Sequence, residues 1–152
     1  MTDQSSDQRK LVLLEKCFLK NFSFESPKAP AVFTNYVDPE KLLNIQSTNS
    51  KIDAERMEVT LTLAVRAVRE EDMIFHVKVV QAGEFRITGY SPTERLEILG
   101  AICPEMLFPF ARNTIDAAVR KGGLPDILLR PVDFATLFEH EMLERAGQGA
   151  AT

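Results

Sequence analysis

Apolar and polar positions alternate with a period of two over residues 11–25, which predicts an opening strand. Val12, Leu14, Lys16, Phe18, Lys20, Phe22 and Phe24 fall on one face, and Leu13, Glu15, Cys17, Leu19, Asn21, Ser23 and Glu25 on the other, because successive strand side chains point to opposite sides. The same period returns over residues 57–68, where Met57, Val59, Leu61, Leu63, Val65 and Ala67 alternate with more polar neighbours. It returns again from Met73, with Phe75, Val77 and Val79 on the buried side, so His76 and Lys78 point together to the less buried face. The charged run Glu70-Glu71-Asp72 is a turn between the two. Gly83 permits a bend before a last strand over residues 85–88, giving an antiparallel meander of four strands with short links; a weak further strand holds Leu43 and Ile45.

The stretch over residues 26–40 breaks this pattern. Pro27, Pro30 and Pro39 interrupt any helix and deny ladder donors to a strand, so an extended crossover is expected. Val32, Phe33, Tyr36 and Val37 are bulky for a loop and should dock onto the domain, a partner or a ligand.

After residue 90 the period becomes helical. Ser91-Pro92 sets a helix start, with Leu96, Leu99 and Gly100 on an apolar side, and Cys103-Pro104 restarts the chain. Leu107, Ala111, Ile115, Ala118 and Val119 form one stripe of the next helix, opposite Arg112, Asn113, Asp116 and Arg120. Pro109 is expected to kink this helix or to confine its regular part to later residues, and Gly122-Gly123 to end it. Asp133 is placed to cap a final amphipathic helix whose Phe134, Leu137, Phe138 and Met142 share one face. Residues 1–10 are polar and read as a disordered tail, residues 11–147 as one domain, and residues 148–152 as a flexible end.

Composition narrows the function. The 152 residues are 45% apolar, enough for one domain with a modest core, and the net charge of −4 with scattered Lys and Arg disfavours a nucleic-acid partner. No apolar run approaches the roughly 20 residues needed to span a bilayer, and the amino terminus lacks the apolar region of a signal peptide, so a cytoplasmic protein with no direct membrane insertion is expected. Cys17 and Cys103 are far apart and outside any metal-ligand spacing, which reads as two buried free thiols. His76 and His140 lie on different elements and read as solvated. No nucleophile elbow, phosphate loop, dinucleotide fingerprint or zinc-protease pair occurs, so neither catalytic nor metal residues are assigned and a non-enzyme is expected. The surplus is apolar instead: an aromatic crossover and a last helix that offers Phe138 and Met142, whose flexible thioether suits a surface that accepts many shapes.

Three separated segments in order, KNFSFESPKAPAVF, ILGAICPEMLFPFARNTI and LLRPVDFATLF, resemble the SecB family of export chaperones, the last two through its CPxxLFPxAR and PVNFxxLF signatures. The resemblance implies an α+β fold, a four-stranded antiparallel sheet with two main helices on one face, assembled as a homotetramer, a dimer of dimers. The small residues Ala117 and Ala118 suit the close helix contacts of such an assembly. It implies a holdase without cofactor or ATP that binds unfolded precursors and hands them to the SecA motor. The client groove would involve Phe33, Tyr36, Val37, Leu43, Ile45, Phe138 and Met142, and the SecA-docking face the outward positions Asn21, Glu25, His76 and Lys78. Only Glu25 of these four is acidic, whereas the family face is an acidic patch, so altered docking is expected. The alternative is a SecB-like chaperone of a toxin–antitoxin module with altered or absent SecA docking. An enzyme or small-ligand binder on a helix-covered sheet is a third reading.

Overall fold

The computed structural model describes the backbone of residues 9–151 and the side chains of residues 9–147. Four strands, β1 (Leu11–Glu25), β2 (Glu40–Lys51), β3 (Arg56–Arg69) and β4 (Asp72–Thr88), make one antiparallel sheet in the spatial order β1-β4-β3-β2. β2, β3 and β4 form a meander whose members differ from those expected, since β2 belongs to it and residues 85–88 are the end of β4, and β1 reaches the far side of the sheet to pair with β4, a Greek-key arrangement. Two expectations change. The segment around Leu43 and Ile45 is a regular strand of 12 residues rather than a weak one. Gly83 does not bend the chain: β4 runs unbroken for 17 residues through it. A Cβ there would lie 2.6 Å from Leu14 and 3.0 Å from Leu107, so glycine is needed for space, not for a turn.

β1 also departs from strict alternation. Register shifts between Leu14 and Lys16 and between Leu19 and Asn21 mark two β-bulges. Each extra residue turns the following side chains over. Cys17 and Leu19, opposite Gly83 and Gln81, therefore join Val12, Leu14, Phe22 and Phe24 on the inner face, while Lys16 and Phe18, opposite Glu84 and Ala82, move outward. The simple period places Lys16 and Phe18 with the core and Cys17 outside it, and the bulges reverse this.

The crossover over residues 26–39 is turn-rich rather than extended. A 3-10 turn over Ala31–Phe33 is closed by Phe33 N–H donating to Pro30 O (3.0 Å) and Thr34 N–H donating to Ala31 O (3.2 Å). Asn35 takes a left-handed backbone with φ of 58°, which asparagine tolerates better than most residues.

Helix α1 (Pro92–Glu97) opens on a capping box: Glu94 N–H donates to Ser91 Oγ and Ser91 N–H donates to Glu94 Oε1. A π-helical turn over Ile98–Ile102 carries it directly into α2 (Cys103–Lys121), so Cys103-Pro104 does not restart the chain. Pro104 sits in the first turn of α2, and the helix also continues through Pro109. Gly122-Gly123 ends it as expected. Gly123 has φ of 75°, Leu124 N–H donates to Val119 O and Gly123 N–H to Arg120 O, and the buried pair Val119 and Leu124 completes a Schellman motif.

α2 lies on the inner face of the sheet, with Leu107 near Gly83 and Gly122 against Phe24. The core fills the space between, from Val59, Leu61, Leu63, Val65, Val77, Val79 and Phe85 on the strands to Leu107, Ala111, Ile115 and Val119 on the helix. Each such side chain contributes about 1.5–3 kcal/mol on burial. Among the described residues, the opposite face of the sheet carries no helix. The last helix, α3 (Phe134–Ala151), packs chiefly on the π-helical turn and runs past Gly147, where the ordered domain was expected to end. Thr152 and residues 1–8 of the two expected tails lie outside the described residues. Arg9 and Lys10 are joined to the fold: Thr88 Oγ1 donates to Arg9 O at 2.9 Å, and Lys10 Nζ lies 3.4 Å from Glu94.

Candidate functional site

Among the described residues β2 pairs with β3 alone, which makes it an edge strand of the sheet. Its inner side chains, Leu43, Ile45, Ser47 and Asn49, lie opposite the core residues Val65, Leu63, Leu61 and Val59 of β3, and α3 faces them. Three contacts set the position of α3. Asp133 caps its start, accepting from Thr136 N–H at 3.1 Å and Thr136 Oγ1 at 2.8 Å, and these donors hold its carboxyl below the usual range. Phe134 is buried, edge-on to Phe108 with ring centroids 5.9 Å apart. Phe138 lies over Gly100, so closely that any Cβ at residue 100 would overlap its ring. Beyond these anchors α3 is largely exposed, including Leu137, Met142 and Leu143, the last with 70% of its surface in solvent.

Three adjoining cavities run along β2, two of them between it and α3. The middle one, about 420 Å³, is lined by Ile45, Ser47, Gly100, Phe134, Leu137 and Phe138. A smaller one of about 110 Å³ continues it past Phe138 to Leu96, Met142 and Arg145. A third of about 530 Å³ wraps the β2 edge at Leu42, Leu43, Asn44 and Ile45 and reaches Ala64, Arg66 and His76. Shared residues join them: Ile45 and Leu137 belong to the first and third, Ser47 and Phe138 to the first and second. The result is an elongated cleft in which Leu43, Ile45, Leu137, Phe138 and Met142 stand among polar residues such as Gln46, Thr48 and Glu141. It can hold an extended chain, and its lining offers no convergent acid, base or nucleophile.

Of the residues expected to grip a client, Leu43, Ile45, Phe138 and Met142 are brought together along this cleft. Phe33, Tyr36 and Val37 line none of the three cavities. Phe33 lies against the end of α2, 3.2 Å from where a Cβ of Gly123 would be. Tyr36 packs partly onto the core, where burial pushes its phenol pKa up, and Val37 is half exposed. The sequence pattern places Leu137 and Gly100 on apolar helix sides without assigning them to the client groove, and it does not single out Ser47, which also lines the cleft. Leu137 shares the helical stripe with Phe138, but its side of that stripe is decided by how α3 crosses β2. A glycine in the apolar run before Cys103 is the one sequence signal for a close approach.

Asn21, Glu25, His76 and Lys78 all lie on the helix-free face: Glu25 is opposite His76, Asn21 opposite Val80, and Lys78 opposite Ser23. His140 is exposed on α3. Among the described residues no three of His, Cys, Asp and Glu gather as metal ligands, and no helix is long and apolar enough to cross a membrane.

Both thiols are held in their protonated form. Burial pushes Cys103 up to about 12 and also raises Cys17, which accepts from Gln81 Nε2 at 3.2 Å. At pH 8 the folded protein is therefore expected to alkylate far more slowly than a free cysteine, with Cys103 reacting only on unfolding. Mass-resolved alkylation with and without urea checks this, and rapid labelling of folded Cys103 would contradict it.

The family described as preprotein translocase subunit SecB matches residues 5–145. A protein-export protein SecB from Hahella chejuensis is 39% identical, covering 91% of this chain and 87% of that protein. One from Pseudomonas fluorescens strain SBW25 is 34% identical over 100% of this chain and 99% of its own length. Among solved structures, a SecB-like chaperone from Mycobacterium tuberculosis, in complex with a peptide from an antitoxin, superposes with a TM-score of 0.64 at 13% identity, covering 80% of this chain and 87% of that one. That likeness extends the match to the sheet and helices described above. With the family pattern spanning nearly the whole sequence and full-length relatives well above 30% identity, the chain belongs to the SecB family of export chaperones.

Proposed function

We propose that this chain is a holdase: it binds unfolded precursor polypeptides in the cleft between β2 and α3 and keeps them competent for export, without nucleotide or cofactor. The observation that carries the reading is the cleft itself, elongated and open along its length, with Leu137 and Met142 exposed on its α3 wall. A groove whose apolar side chains stand among scattered polar groups favours many sequences weakly over one sequence strongly, which is what a holdase requires. The crossover residues Phe33, Tyr36 and Val37 extend the client surface at the far end of the sheet.

In the same reading the protein works in the cytoplasm as a homotetramer, a dimer of dimers. Exposed Leu19 and Phe22 on the edge strand β1, with Phe110 on α2, supply apolar surface for contacts between copies. Clients pass to the SecA motor, with Asn21, Glu25, His76 and Lys78 as the docking row. One carboxylate among four leaves that row unlike an acidic patch, so docking is weaker or differently directed than through an acidic face.

A denatured client diluted into buffer tests the holding function. At a molar excess of tetramer and without ATP, the protein should delay both refolding and light-scattering aggregation of the client. Unchanged kinetics would refute the reading.

A further inference from the structure

Helix α2 carries a second stripe besides its buried one. Starting in the π-helical turn, Ile102, Met106, Phe110, Asn113 and Ala117 recur at helical spacing on the side turned away from the sheet. Ile102 and Phe110 keep 38% and 48% of their surface in solvent. A helix that is apolar on two opposite sides packs between two layers, and this chain supplies one of them, the sheet.

On one flank of the stripe Arg112 and Asp116 stand a single turn apart, and neither pairs with the other. The Arg112 guanidinium lies over the Phe108 ring, 5.5 Å from its centroid, and has no ion-pair partner among the described residues. Asp116 is half-buried, and its buried Oδ1 accepts no hydrogen bond. Arg120, one turn further on, meets Asp126 instead, at 3.2 Å. Three charged groups act on Asp116: Arg120 and Arg112 of its own helix, and Asp126 of the segment that follows. Burial outweighs the two arginines and holds the carboxyl above its ordinary value. A carboxylate so placed lacks a donor, and a guanidinium one turn away lacks an acceptor.

We propose that the second stripe of α2 receives α2 of a second copy, antiparallel about a two-fold axis near Thr114, and that the Asp116 carboxylate of each copy accepts from the Arg112 guanidinium of the other. This rests on the homotetramer reading and adds the polar contact that fixes one of its interfaces. Thr114 is midway in sequence between Arg112 and Asp116, and both stand on the same flank, so one axis makes the contact twice. Stacking on Phe108 leaves the N–H edges of the guanidinium open to a carboxylate. Pairing favours the ionised carboxylate in the assembly, whereas the separate chain favours the neutral form. The carboxyl pKa is therefore lower in the assembly than in the separate chain. The contact contributes fully above the separate chain's value and is lost as pH falls through the assembled one.

Analytical ultracentrifugation of the full chain, over a concentration series from neutral to mildly acidic pH, tests this. The dissociation constant between copies should rise as pH falls. Asp116→Asn and Arg112→Gln should each raise it about tenfold at neutral pH and flatten its pH dependence, and the two together should cost no more than either alone. Resistance of Cys103 to alkylation shows that each variant is folded. Association of the folded variants as tight as the parent's or tighter, an unchanged pH dependence, or losses that add in the double variant overturns this inference alone. A chain that stays monomeric at every pH overturns the homotetramer reading and the inference together.

Discussion

Phe75→Ala is expected to lower the stability of the fold by about 3–5 kcal/mol, a large share of the roughly 5–15 kcal/mol available to a domain of ordinary stability. Phe75 has no exposed surface and stacks on Phe24 with ring centroids 6.2 Å apart. β4 lies between β1 and β3, so the void opens at the strand that joins both halves of the sheet, where neighbours are least free to collapse into it. Urea unfolding at a fixed protein concentration measures the loss as a lower midpoint at unchanged slope. A change below about 1 kcal/mol would show that Phe75 is not packed as described. Leu143→Ala, at a site 70% exposed, should stay within about 0.5 kcal/mol and serves as the control.

Gly100→Ala is expected to act on function more than on the core. Alanine in a helix is ordinarily better than glycine by about 0.5–1 kcal/mol. Here the new methyl group would overlap the Phe138 ring, and overpacking of this kind costs about 1–3 kcal/mol. The overlap is with the ring rather than the tip of a flexible chain, and α3 packs chiefly on the π-helical turn that contains Gly100, so the helix should shift or detach as a unit. Amide exchange of α3 should rise sharply while β3 and β4 stay protected, and client affinity should fall about tenfold, the factor corresponding to about 1.4 kcal/mol. Unchanged exchange in α3 would mean that Phe138 moves aside without consequence. A further Phe138→Leu substitution in the Gly100→Ala background should restore protection by relieving the overlap.

The strands that form the core are legible because one face is dry. β3 and β4 alternate so regularly that spacing alone places Leu61, Leu63, Val77 and Val79 inward, and His76 and Lys78 outward. β2 reads as weak because Asn44, Gln46, Ser47, Thr48, Asn49 and Ser50 carry little apolar signal. It is an edge strand, wet on one face and only partly covered on the other, and its pairing with β3 decides its conformation. Prolines and glycines read as local punctuation, yet Pro104 and Pro109 are absorbed into one helix and Gly83 answers to Leu14 and Leu107, residues distant in sequence. The apolar stripe of α3 is visible in the sequence, and so are four residues of the cleft. The cavity that unites them depends on where α3 crosses β2, and that is set by Phe138 on Gly100, a contact between two segments nearly forty positions apart. The place of Arg66 opposite Leu42 and His76 is settled only once three strands are in register.

The two bulges of β1 also determine how this strand can change length. In a regular strand, losing any one residue turns every side chain on one side of the cut inside out. At Glu15 the loss would instead join Leu14 to Lys16 in plain alternation, leaving Cys17 inward and both flanking halves facing as they do now. The same holds at Lys20 between Leu19 and Asn21, and each deletion would forfeit only a surface ion pair, with Arg86 or with Glu58. Shortened variants of this strand should therefore be tolerated at these two positions and rejected between them.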